Sequence, residues 1–141
     1  MKCWYTSYME PRITIITLGV NNIQRSHDFY SKIMKFPSEK GIEGDIVFYQ
    51  LRHMLLALYP REKLAEDARV PKDGSGFSGI TLAHNVKTRE EVNAIVEKVR
   101  QAGVKVTKEP QDTEWGGYDA YFQDLDGYLW EIAWNPYLWV G

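Results

Sequence analysis

The sequence predicts an α+β protein built from two βαβββ modules. Its 141 residues suit one domain with a genuine core. The order strand, helix, strands occurs twice, on either side of a linker at residues 61–77. The contents of the halves also agree: Ile13-Thr14 answers Ile80-Thr81, Val20 answers Val86, and Phe48 with the strand after it answers Phe122 with residues 128–134. Three strands are expected after each helix rather than one, which separates this plan from a doubled βαβ arrangement.

In the first module, residues 12–60, the β-branched run at 12–20 is a strand. Asn21-Asn22 offers a turn and a cap for a helix over 22–35, whose apolar face is Ile23, Phe29, Tyr30, Ile33 and Met34. Pro37 ends that helix, and 38–44 is a polar connection. Strands at 45–51 and 54–59 follow, joined by a tight turn at Arg52-His53. The linker has room for a short helix at 62–68 before a Gly/Pro/Ser-rich stretch. In the second module, residues 78–136, strand 79–86 leads to Thr88, which caps a helix over 89–102 that stops at Gly103. A short strand at 104–107, a loop through Pro110 and Gly116-Gly117, and a closing hairpin complete it. Residues 1–11 form an aromatic arm before the modules.

The net charge of −2, with scattered Lys and Arg, argues against nucleic-acid binding. No window approaches the ~20 apolar residues of a membrane helix, and nothing resembles a signal peptide. One cysteine, Cys3, excludes a disulfide within the chain, so a cytoplasmic location is expected. Aromatic residues reach 13%, an excess that fits a ligand cavity, a subunit interface or a β-rich core.

Two stretches carry a family likeness. Leu18-Gly-Val-Asn-Asn-Ile-Gln-Arg-Ser-His-Asp-Phe-Tyr30 resembles the first strand-and-helix signature of the vicinal oxygen chelate superfamily. Tyr121-Phe-Gln-Asp-Leu-Asp-Gly-Tyr-Leu-Trp-Glu-Ile132 resembles its C-terminal signature, in which a turn precedes a strand bearing a metal-binding Glu. That superfamily includes glyoxalase I, extradiol dioxygenases and the metal-free bleomycin-resistance proteins. The resemblance covers residues 12–136 and implies the glyoxalase/bleomycin-resistance fold: paired modules whose curved mixed sheet encloses a cavity, usually in a homodimer. It also implies four metal-ligand positions, from the first and last strands of each module. Here they fall on Ile15, Ala57, Thr81 and Glu131, and only Glu131 matches. One carboxylate does not make a zinc or magnesium site. The expectation is therefore a protein without metal or other cofactor that binds or sequesters a small molecule. The alternative is a metal-dependent lyase, isomerase or dioxygenase of the glyoxalase type, and a third reading is a partner-binding module that uses the arm.

Glu131, between Trp130 and Ile132 in an apolar strand, is the candidate catalytic or anchoring group, since an ionised carboxylate there needs a partner. Arg12 and Arg52 are candidates for that partner. Alternation puts Leu129, Glu131 and Ala133 on one face, and Trp130, Ile132 and Trp134 on the other, under the helices. Tyr121 joins the expected ligand-binding set, with Trp115 and Tyr118 in the glycine-rich loop at the cavity rim. His53 and His27 are expected at the surface or boundary, and His84 as a partly buried structural residue. Neither Cys3 nor the serines sit in a nucleophile-elbow context.

Overall fold

A computed structural model describes residues 11–74, 76–78 and 80–138. The aromatic arm lies, but for Pro11, outside the described residues. Strand β1 (Ile15–Val20) is followed by helix α1 (Ile23–Asp28), which Asn22 caps by accepting from the Arg25 amide. The helix continues as a π-helical turn over Phe29–Ile33, closed by the Met34 amide donating to the Phe29 carbonyl at 3.0 Å. Strands β2 (Val47–Gln50) and β3 (Leu55–Pro60) complete a sheet of order β1-β3-β2, with β1 parallel to β3. Helix α2 (Arg61–Ala68) starts directly at the end of β3 and packs on the end of β1. Gly19 allows that approach, because a Cβ there would stand 3.1 Å from the Arg61 Cα.

The second module contains β4 (Leu82–Val86), α3 (Arg89–Gln101), β5 (Val106–Asp112), β6 (Tyr118–Gln123) and β7 (Leu129–Trp134). Its sheet has the order β4-β7-β6-β5, with β4 parallel to β7. This repeats the first module's plan, and the α+β fold of two βαβββ-like modules with mixed sheets is what the internal repeat predicts.

Two details differ. In the first module only two strands follow the helix, and the third is reduced to one bridge between Glu43 and Ile46. Gly41 and Gly44, at φ +64° and +62°, turn that segment too sharply for a strand. In the second, β5 runs on past residue 107 and through Pro110. It is the edge strand of its sheet, and register shifts around Lys108 relieve the ladder that proline cannot feed.

Both modules share one core. Leu18, Val20, Tyr49 and Leu58 of the first sheet, and Phe122, Trp130 and Ile132 of the second, all belong to a single buried cluster. Phe29, Tyr30 and Phe36 bridge the halves: Phe29 meets Phe122, and Tyr30 and Phe36 both touch Tyr49 and Trp130. The turn between β6 and β7 fastens this junction. Asp126 accepts from the Asn21 amide and the Ser26 hydroxyl, both at 2.8 Å. Asp124 accepts from the Tyr30 hydroxyl at 2.6 Å and from the Asp126 and Tyr128 amides. Among the described residues no helix is long and apolar enough to cross a membrane.

Candidate functional site

With helices and core on one face of each sheet, function is sought on the other. In the first sheet alternation puts Leu18, Val20, Leu56 and Leu58 in the core, and Ile15, Thr17, Phe48, Leu55 and Ala57 on the opposite face. In the second, Trp130 and Ile132 are buried against the helices, and Glu131 projects the other way.

The pairing around Glu131 builds a polar cluster. Tyr121 lies directly across from Glu131, and Asp119 across from Ala133, all on the same face. The Asp119 and Glu131 carboxyls share a hydrogen bond. Asp119 is only 3% exposed, and Lys108 on the neighbouring β5 donates to it at 2.8 Å. The Lys108 ammonium also stands 5.7 Å from the centre of the Tyr121 ring. Two carboxyls can hydrogen-bond only through a proton that one of them holds. Burial first, then the bond to Asp119 and its charge, push the Glu131 carboxyl up to about 7. Burial, with Glu131 and Asp119 beside it, likewise raises the Tyr121 phenol. The arrangement can accept or donate a hydrogen bond, bind a cation once Glu131 ionises, and exchange a proton near neutrality.

Asp119 and Lys108 were absent from the residues singled out in the sequence. The same period-two alternation, applied to the strand before the turn, puts Asp119 on the face of Tyr121, so Asp119 is within reach of the sequence. Lys108 was hidden by the early end expected for its strand. After burial, the groups that shift the Glu131 carboxyl include these two.

The remaining candidates scatter. Tyr118 pairs with Trp134 on the helix side, donates to Asn93 at 2.7 Å and stacks under Arg89, so it does not join the Glu131 face. Trp115 sits in the turn before β6, 45% exposed, with its ring over Gly117, where a Cβ would come within 1.9 Å of it. His27 bonds the Tyr49 hydroxyl at 2.7 Å. His53 is exposed. His84, expected to be partly buried, is exposed on the edge strand in register with Ile132; desolvation lowers its pKa, opposed by the Glu91 carboxylate.

Against known proteins, the family model described as the Glyoxalase/Bleomycin resistance protein/Dioxygenase superfamily matches residues 12–132. The chain belongs to this superfamily. A glyoxalase-related enzyme from Fulvimarina pelagi is similar over 94% of both chains, at 31% identity and a TM-score of 0.86. A hypothetical protein from S. aureus is 25% identical over 91% of this chain and 96% of its own, with a TM-score of 0.78. A lactoylglutathione lyase from Agrobacterium tumefaciens shares the fold, with a TM-score of 0.67 over 89% of this chain and 95% of its own, at 16% identity.

Strand register relates to one another the four positions that the family resemblance implies. Ala57 pairs with Thr17, and Ile15 stands two residues before Thr17. Glu131 pairs with Ala83, and Thr81 stands two residues before Ala83. The positions are therefore equivalent between modules, and an isoleucine, an alanine and a threonine occupy three of them. Hydrocarbon side chains cannot ligate, and a neutral hydroxyl is a weak donor. Among the described residues no group of three His, Cys, Asp or Glu is arranged to hold a metal ion. At the four positions that the resemblance implies, only Glu131 offers a strong metal-ligating side chain.

A larger cleft of about 620 Å³ lies between the start of α1 and α2. Along it Arg61 donates to the Lys72 carbonyl, Lys72 pairs with Glu62, and Lys63 pairs with Asp45 outside the cleft.

Proposed function

We propose that this superfamily member binds or sequesters a small molecule without a metal ion, in the manner of a bleomycin-resistance protein, with Glu131 as polar anchor and Asp119, Lys108 and Tyr121 around it. The observation that carries this reading is the occupancy of Glu131. The buried Asp119, paired with Lys108, and Tyr121 share the face of its carboxyl, and Ile15, Ala57 and Thr81 supply no second strong ligand. The protein works as a homodimer: β1 and β4 are edge strands, and Ile13, Ile15 and Ile80 are exposed beside them. Net charge and the single cysteine support a cytoplasmic protein that binds neither nucleic acid nor membrane.

Metal analysis of protein purified without chelator tests the first claim: substoichiometric metal is expected, and one equivalent of nickel, zinc, manganese or iron lost on Glu131→Gln would overturn it. A thermal-shift screen of small amphipathic compounds, repeated on Glu131→Gln, tests the second. Hits should weaken in the variant, and unchanged stabilisation would remove Glu131 from the site. Gel filtration should give twice the chain mass, and a monomer would overturn the assembly.

A further inference from the structure

Beside the first sheet lies a cavity of about 340 Å³, whose lining includes Phe48, Leu55 and Ile46. We propose that it is a binding pocket for a planar apolar group of one or two rings, whose polar substituent stays at the rim by Glu39 and Glu43. The pocket lies wholly in the first module, uses none of the second module's carboxyls, and so goes beyond the Glu131 reading above.

Three observations carry it. Phe48 is 42% exposed although its strand neighbours Val47 and Tyr49 are fully buried, so an aromatic ring stands on the face where polar residues normally alternate. The wall is held in place: the Gln50 amide donates to the Pro37 carbonyl, the Gly41 amide to the Ser38 hydroxyl, and Glu43 bridges to Ile46. This wall exists because the first module lacks the strand that the second has at β5; the segment folds over the sheet edge instead. Phe48 pairs across the sheet with the small, buried Ala57. A volume near the lower end of small-molecule sites, about 300 Å³, suits a ring rather than a protein surface.

The experiment is a titration of the full-length, 15N-labelled protein with indole, followed by backbone amide shifts. Indole should move the amides of Ile46, Phe48 and Leu55 saturably. Phe48→Ala and Leu55→Trp, the one removing the platform and the other filling the space, should each weaken binding about tenfold. Shifts centred elsewhere, or full affinity in both pocket variants with folded spectra, would overturn the assignment. If screening hits depend on Glu131 while indole ignores Phe48, this pocket fails and the Glu131 reading stands. Indole held at Phe48, with every screening hit indifferent to Glu131, would uphold the pocket and remove Glu131 as the anchor.

Discussion

Glu131 holds a proton in the folded protein over a pH range where the unfolded chain releases it. Its folded value is about 7 against an ordinary 4.5, so the native state binds the extra proton between those limits. Unfolding free energy from this group therefore falls as pH rises from about 4.5 to about 7 and is level above. Glu131→Gln cannot titrate, so its stability should fall less across that window, as urea unfolding at pH 4.5 and 7.5 would show. Identical pH slopes would mean that the proton is not held there. At this scale the sequence was informative about Glu131 and its face, because alternation is a local property. It was silent on Lys108–Asp119, which joins two strands whose relative register only the folded sheet sets.

Helix α3 shows how far local chemistry reaches. Thr88 was legible as its cap, and the structure completes the box: the Thr88 hydroxyl accepts from the Glu91 amide, and the Glu91 carboxylate accepts from the Thr88 and Lys87 amides. Thr88→Ala should cost about 1 kcal/mol in equilibrium unfolding. The first helix was legible in extent but not in pitch. Phe29 and Tyr30 are adjacent yet both buried, one against Phe122 and the other against Tyr49 and Trp130. The wider π turn there accommodates two neighbouring rings in one core, a demand set by the other module. Strand β5 extends beyond its expected end for a related reason, since proline breaks a central strand but not an edge one.

Across the whole molecule the two modules have one core and should unfold in one calorimetric transition. Tyr30 is the test residue. Its hydroxyl donates to Asp124 and accepts from the Trp130 indole, and all three groups are buried. Tyr30→Phe strands the indole N–H and a carboxylate oxygen, and should cost about 1–3 kcal/mol while keeping a single transition. Two separate transitions would show that the halves are independent. The repeat, and hence the two-module plan, was legible in the sequence. The way the halves meet was not, because the Asp-Leu-Asp-Gly turn reads as a hairpin turn whatever it touches.

That turn makes the covalent connection between the halves largely dispensable. The chain between α2 and β4 is exposed wherever it is described, whereas Asp124, Asp126 and the bridging aromatics are specific, oriented contacts. Residues 1–76 and 77–141, made as separate polypeptides and mixed, should recombine into a native-like particle, detectable by the return of near-ultraviolet dichroism absent from either piece alone. Seen this way, the protein is a tethered heterodimer of two related parts, and a split reporter could be cut from it at that tether.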